Sequence, residues 1–425
     1  MKKTILFCLN PGLSHFLPTI SYAKLLMEHG YEIIYLGFSN LEDVVRSEGF
    51  TYISIKSVEN ESVINKLKDK YKFQDSAKIY KNIVGEIKDV IRQYNVSLMI
   101  FDVGRFNLFF LPAIESNIPS VSFWTCSGAT NINFNVPPNS SHAIPCTTNK
   151  YSILSGIRWM LRYVRREFYK HKTLISKFYY PHTEIKKYVK KSRLKWQYNI
   201  NGLYLNVPKI VLGPAQFEFP NTPEDNLTYL GLCIDEDRKV RDFYWRHYDD
   251  TKPLIYCSLG TLSNRYEYSE AFFEEIIKTF KEKPEWQVII NTGNLSSVDR
   301  FLPLPDNIFM SNYVPQLEVL KKASLMLTHG GYGTIKECIA LSVPMIVFPC
   351  IYDQPGNAAR VDFHKIGVRR DISKITSTEI EKVIKEMLTN KEYKENINKL
   401  RDEIIANNSL EEGVFLINSL LTKPK

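Results

Sequence analysis

Short apolar runs alternate with amphipathic stretches along the first half of the chain. Ile5 to Leu9, Ile33 to Leu36, Tyr52 to Ile55, Ser97 to Phe101 and Val121 to Trp124 read as strands. Between them, Leu17 to Gly30 and Ile79 to Tyr94 carry helical spacing, the first ended by a glycine. Val211 to Pro214 is a further strand end. The rhythm returns with strands at Leu254 to Ser258, Trp286 to Asn291, Ile308 to Met310, Ser324 to Leu327 and Met345 to Phe348. Phe272 to Lys281 is one helix of this half, and another runs from Ser377, a candidate N-cap, to Leu388. A last helix, Leu410 to Leu421, is apolar on one face and must pack against something. This β-α-β-α order predicts an α/β protein of two doubly wound parallel sheets, each covered on both faces.

Two stretches break the rhythm. Residues 151–195 are dense in basic and aromatic residues, including Arg158, Arg162, Arg165, Arg166, Lys170 and Lys172. Ile157, Met160, Leu161, Val164 and Phe168 recur there at helical spacing, so a basic amphipathic helix is expected. It reads as a solvated excursion over a binding cleft, with weak peripheral contact to a membrane surface as the alternative. Asn221 to Lys239, with Pro220 before it and Asp235-Glu236-Asp237 inside it, reads as the linker between domains. The expected division is 1–234, 235–408 and a returning C-terminal helix at 409–425.

With 425 residues, two domains are the default, and 44% hydrophobic with 24% charged residues suits a globular enzyme. After the basic pair Lys2-Lys3 the apolar run, Ile5 to Leu9, lasts only five residues before Asn10 and Pro11, so it reads as a first buried strand rather than a signal peptide. The seven cysteines include no C-x-x-C pair and fit reduced thiols in a cytoplasmic protein. The net charge of +9 is modest, and no nucleic-acid module accompanies the basic stretch, so nucleic acid is not an expected partner.

Candidate chemistry concentrates between Thr328 and Asn357. An apolar strand leads into Thr328-His329-Gly330-Gly331-Tyr332-Gly333, and Thr334 to Leu341 reads as a helix. A glycine turn opening a helix leaves backbone N–H groups unpaired at the positive end of the helix dipole, which suits a phosphate. A polar loop with Asp353, Gln354 and Asn357 follows the next strand, at the sheet edge where open α/β folds place their ligands. Ser258-Leu259-Gly260-Thr261 offers a second close backbone approach with hydroxyls, and Tyr313-Val314-Pro315-Gln316 an aromatic face, a rigid turn and an amide.

The spacing from Tyr313 to Asn357 resembles the signature of the UDP-glycosyltransferase superfamily: W-x-P-Q, then H-x-G-x-x-S/T-x-x-E, then D/E-Q-x-x-N. Gln316, His329, Gly331, Thr334, Glu337, Asp353, Gln354 and Asn357 all fall in step with it. The resemblance implies a GT-B fold: two Rossmann-like domains facing across a cleft, with the C-terminal helix crossing back to the first. It further implies that Tyr313 stacks the uracil, with Val314 beside it, and that Gln316 meets the nucleoside. Glu337 would hold the ribose hydroxyls. His329, Gly331, Thr334 and the Gly333 backbone would hold the diphosphate with Thr261 nearby, and Asp353 and Gln354 would bind the sugar. Three departures matter: Tyr313 replaces tryptophan, Tyr332 stands where plant members have tryptophan, and Gly333 where they have asparagine. The last is more similar to the bacterial macrolide-type branch.

The first half supplies the partner. Gly12-Leu13-Ser14-His15-Phe16-Leu17-Pro18 resembles the family's G-x-x-H-x-x-P motif, and Asp102 ends a strand at the same sheet edge. Taken alone, His15 reads as a capping histidine and Asp102 as a strand-end turn residue. The resemblance implies a catalytic pair, His15 taking the acceptor's proton and Asp102 holding the imidazole. Phe123-Trp124-Thr125 resembles an element whose threonine lies near the transferred sugar.

The expected activity is inverting transfer of a hexose, glucose or galactose, from a UDP-sugar to a hydroxyl of a hydrophobic small molecule. Phe106, Phe109, Ile132 and Phe134 are candidate acceptor contacts. No cofactor or metal is expected; Asp235-Glu236-Asp237 fits a D-x-D pattern but reads as a solvated acidic turn. Two alternatives stay open: a nucleotide-sugar 2-epimerase of the same architecture, which needs no acceptor, and a non-catalytic nucleotide-sugar-binding activator.

Overall fold

A computed structural model describes residues 2–58, 73–103, 108–128, 136–139, 141–145, 154, 156–161, 164, 197–199, 202–205, 207–220, 222, 227–240, 242–243, 245, 248–261, 263–293, 298–407 and 409–422. In chain order the first half contributes β1 (Thr4–Cys8), β2 (Glu32–Gly37), β3 (Thr51–Ser54), β4 (Val96–Asp102) and β5 (Ser120–Trp124). A small antiparallel hairpin follows, β6 (Gln197–Asn199) with β7 (Gly202–Tyr204). Then come β8 (Lys209–Val211) and β9 (Leu227–Tyr229). The second half adds β10 (Leu254–Ser258), β11 (Gln287–Asn291), β12 (Ile308–Ser311), β13 (Leu325–Thr328), β14 (Met345–Val347) and β15 (Gly367–Arg369).

Two parallel sheets result, ordered β3-β2-β1-β4-β5-β8-β9 and β12-β11-β10-β13-β14-β15. Their central strands are buried along their whole length, which is why they read as unbroken apolar runs rather than alternating ones. In each sheet the strand order reverses at one place, between β1 and β4 and between β10 and β13. At such a switch point the connections leave in opposite directions and open a crevice beyond the carboxyl ends of the strands. The candidate residues of the two halves, Asp102 and His329 among them, lie at those two crevices.

Several local readings shift. The expected helix from Leu17 to Gly30 divides into Leu13–Phe16, a 3-10 turn at Leu17–Thr19 and Ile20–Glu28, with Gly30 at φ +86° beyond its end. Pro18 sits in the 3-10 turn, where its missing N–H costs nothing. The N-cap of helix Ser377–Thr389 is Thr376, not Ser377: its Oγ1 accepts the Glu379 N–H at 3.3 Å. Asp353, Gln354 and Asn357 do not form a loop; helix Gln354–Phe363 begins there, with Asp353 at its N-cap. The expected linker contains β9, which pairs with β8 as the sheet's edge strand, and three residues of Leu-Thr-Tyr are too short a signal to stand out. Nor is Asp235 simply solvated, since its carboxylate accepts from Lys24 Nζ.

Helix Leu410–Thr422 packs on the first half. Val414 and Ile417 join the core cluster of Ile5, Tyr22, Ala23 and Leu26, and Tyr22 Oη donates to the Gly413 carbonyl at 2.9 Å. Cys8, Cys257 and Cys338 are buried free thiols, their pKa values pushed up by burial. In the basic excursion, helical residues include 156–161, where Trp159 is buried and donates its Nε1–H to the Val136 carbonyl at 2.9 Å. Ile157, Met160, Leu161 and Val164 are exposed, and Phe168 lies outside the described residues with most of the excursion. Among the described residues no helix is long and apolar enough to cross a membrane.

Candidate active site

The first crevice holds an imidazole against a carboxylate. β1 ends at Cys8, beside Phe101 of β4, so the loop after β1 and the last residue of β4 emerge side by side. Gly12, extended at φ -163°, starts the helical turn that carries His15. His15 Nδ1 lies 2.7 Å from Asp102 Oδ2. The Asp102 carboxylate is buried, and the same oxygen accepts the Asn10 backbone N–H at 3.3 Å. One third of the His15 side chain stays exposed. With Nδ1 turned to the carboxylate, Nε2 is the ring atom left for a ligand. Burial opposes a charge on this ring, but the charge and hydrogen bond of Asp102, with a further contribution from Asp353, outweigh it and raise its pKa.

The second crevice is a backbone cradle. Ser258 ends β10 next to Thr328, the end of β13, so Gly260 and His329 turn toward each other. Gly260 has φ +75°, and a Cβ there would stand 2.6 Å from His329 Cε1; one on Gly331 would stand 2.6 Å from its Nε2. The imidazole therefore fills the space between two glycine turns. Burial pulls its pKa down to about 4, against a smaller opposing effect of its hydrogen bond to the Ser258 backbone. It is neutral near pH 7, so it adds no charge to the cradle.

Gly331 caps helix Tyr332–Ala340 in an extended conformation with no side-chain hydrogen bond to the first turn. The first intrahelical contact is Ile335 N–H to the Gly331 carbonyl at 3.1 Å, so the preceding N–H groups point outward. Nothing would crowd a Cβ on exposed Gly333. One turn further along, buried Glu337 meets Gln316, whose Nε2 donates to Glu337 Oε2 and to Thr334 Oγ1, the latter at 3.3 Å. Tyr313 presents an exposed ring at the same edge, Val314 is buried beneath it, and Thr261 is exposed beyond Gly260.

The two halves meet along helix Gln354–Phe363. Asn357 is buried; its Nδ2 donates to the Gly330 carbonyl at 2.9 Å and to Asp353 Oδ2 at 3.0 Å, while its Oδ1 accepts from Ser127 of the first half. Gly356 N–H donates to the Asn139 carbonyl at 2.8 Å. Arg360 donates twice to Glu218 Oε2, at 2.9 and 2.6 Å, and Glu218 Oε1 accepts the Gly128 N–H at 2.8 Å. Burial raises the Asp353 pKa against the opposing pull of Asn357, Arg360 and His15. Asp353 and His15, from opposite halves of the chain, each make a small contribution to the other's pKa.

Residues 209–418 match the sequence family described as UDP-glucoronosyl and UDP-glucosyl transferase. That stretch, just under half of the chain, carries the UDP-glycosyltransferase family's pattern. NDP-glycosyltransferase YjiC of Bacillus subtilis is 24% identical over 436 residues, spanning 100% of this chain and 99% of that protein. Oleandomycin glycosyltransferase of Streptomyces antibioticus is 30% identical over 150 residues, 35% of this chain and 33% of that one. Among solved structures, the glycosyltransferase of kitacinnamycin superposes with a TM-score of 0.73 at 21% identity, covering 99% of this chain and 100% of that one. The calicheamicin glycosyltransferase CalG4 does so with 0.67 at 17% identity, covering 99% and 98%. The fold is GT-B.

Within this glycosyltransferase, not every residue singled out in the sequence presents itself to the cleft. Phe109 packs in the first-domain core with Phe101 and Phe110, because the turn that carries it folds under the sheet face. Phe106, Ile132 and Phe134 lie outside the described residues. Gln354 is buried with its amide committed: Oε1 accepts the Cys350 and Ile351 N–H groups, both at 2.8 Å, and Nε2 donates to Tyr266 Oη at 3.1 Å. Asn357 is likewise a structural hub. Thr125 stands half-buried just past β5, at the cleft edge. Sequence reasoning missed Ser127, Asn139, Glu218, Arg238 and Arg360. Only Ser127, two residues after Thr125, had a nearby motif to mark it.

Proposed function

We propose that this glycosyltransferase moves a hexose from a UDP-sugar to a hydroxyl of a hydrophobic small molecule, with inversion at the anomeric carbon. The observation that carries the reading is the 2.7 Å pairing of His15 with Asp102 at the switch point of the first sheet, opposite Asp353 of the second domain. His15 Nε2 takes the proton of the acceptor hydroxyl as its oxygen bonds to the anomeric carbon. The bond from that carbon to the diphosphate breaks on the opposite face, and UDP leaves with the electron pair. Asp102 holds the ring orientation and stabilises the imidazolium.

The donor lies over the second crevice: Tyr313 stacks the uracil, Glu337 and Gln316 meet the ribose, and the diphosphate sits at the amino end of helix Tyr332–Ala340 with Thr334, His329 and Thr261. Charge building on the leaving group is met by outward N–H groups and the helix dipole, already oriented before reaction. No metal is required in this reading, and the acidic triplet at Asp235 spends its first carboxylate on Lys24. Asp353 reaches the sugar hydroxyls, while Gln354 braces the turn before it. Relatives named for oleandomycin and demethyllactenocin support a natural-product acceptor. The exposed apolar residues of 157–164, within a basic stretch, support weak contact with an anionic membrane surface.

The test is a mass-spectrometric screen of UDP-sugars against hydrophobic alcohols and phenols, with His15→Ala as the control. Glycoside formation by the wild type, lost in His15→Ala with UDP binding retained, is the expected result. Full activity in that variant would remove His15 as the base.

A further inference from the structure

Arg238 belongs to no motif singled out in the sequence. It lies in the segment that leaves β9 and crosses toward the second sheet, and it ends inside the proposed donor site. Its Nη1 donates to Glu337 Oε1 at 2.8 Å, with 13% of the arginine side chain and 8% of the glutamate side chain exposed. The other Glu337 oxygen accepts from Gln316. The segment is fastened to the first domain on both sides of Arg238. Asp235 accepts from Lys24, and Glu48 Oε1 accepts the Lys239 backbone N–H at 2.9 Å.

Three physical points follow. A carboxylate this buried is costly without a compensating cation, and Arg238 is its ion-pair partner among the described residues. Lys336, next in sequence, is turned away and donates to the Leu212 carbonyl at 2.6 Å. A carboxylate accepts about four hydrogen bonds, so two used by Arg238 and Gln316 leave two for a vicinal diol. With both oxygens already oriented, the diol meets a preset acceptor pair rather than a mobile side chain.

We propose that Arg238 is a positioning residue of the donor site, aiming Glu337 at the ribose diol from a segment anchored on the opposite domain. This rests on the reading of Glu337 as the ribose contact. The nucleoside seat is then complete only when the crossing segment is in place, so the first domain helps select a nucleoside whose assigned contacts all lie in the second.

Calorimetric titration of the full-length protein with UDP and with 2′,3′-dideoxy-UDP tests this. The wild type is expected to prefer UDP. Arg238→Ala should weaken UDP about ten-fold while changing dideoxy-UDP less than about two-fold, collapsing the discrimination. Arg238→Lys should restore part of it, and in a Glu337→Gln background the Arg238→Ala change should have no further effect. That double variant carries no unpaired buried carboxylate, so it and Arg238→Lys keep the comparison available if Arg238→Ala alone folds poorly. Equal weakening of both nucleotides, or of neither, overturns the inference while leaving the donor site intact. A wild type that binds both equally removes Glu337 as the ribose contact, and one that binds neither removes the donor reading; either result takes the inference with it.

Discussion

Glu218 and Arg360 meet at 2.6 Å across the two halves of the glycosyltransferase, and the arginine has no exposed surface. The pair sits one turn beyond Asn357 on the helix that begins at Asp353, so it sets how that helix lies against the first domain. Removing one partner strands the other charge in a dry interface. Glu218→Ala is expected to cost about 3–5 kcal/mol. A fall of less than about 1 kcal/mol in chemical denaturation would show the interface opens to water around Arg360.

The pH profile follows from His15. Its pKa is raised, chiefly because Asp102 and then Asp353 outweigh burial, and the base must be unprotonated to act. Transfer should therefore fall as pH drops through a midpoint above the ordinary imidazole value of about 6.5. Asp102→Asn should lower that midpoint and reduce kcat roughly hundred-fold or more. The sign for stability is opposite: the pair's contribution is fully present below about pH 6.5 and is lost as pH rises through the folded-state pKa. A midpoint unchanged in Asp102→Asn would separate the carboxylate from the titration.

Gly260 tests the cradle. Its φ of +75° disfavours any side chain, and a Cβ would press on the His329 ring. Gly260→Ala should destabilise the second domain by about 1–3 kcal/mol and displace the imidazole. UDP affinity should drop with it. Unaltered calorimetric binding would place the diphosphate elsewhere.

The C-terminal helix tests how the first domain is closed. Ile417 is fully buried among first-domain residues, although it lies near the end of the chain. Ile417→Ala should cost about 2–5 kcal/mol by leaving a cavity beside Ile5 and Tyr22. Melting at the wild-type temperature would mean the helix is not docked in solution.

Central strands were legible because burial on both faces makes them continuous apolar runs, as in β1 and β10. β9 and β15 were not, since three-residue edge strands carry no period and are held by pairing with β8 and β14. The glycine turn was legible for a local reason: helix start, glycines and histidine are neighbours in sequence, so their chemistry is written in their spacing. The separation of roles within that motif was not. Gln354 and Asp353 are adjacent, yet Gln354 spends its amide inside the turn while the Asp353 carboxylate accepts from Asn357.

By itself, the sequence determined the two parallel sheets, the cradle at His329 and the pairing of motifs that points to a nucleotide-sugar enzyme. Hydrophobic period and short-range turn chemistry act over a few residues, so a linear reading reaches them. Only the tertiary structure decided that Arg238 reaches Glu337, that Glu218 neutralises Arg360, that Ser127 holds Asn357 and that Phe109 belongs to the core. Each of these depends on which segments two folded sheets bring into contact across tens or hundreds of residues, and no local pattern records that.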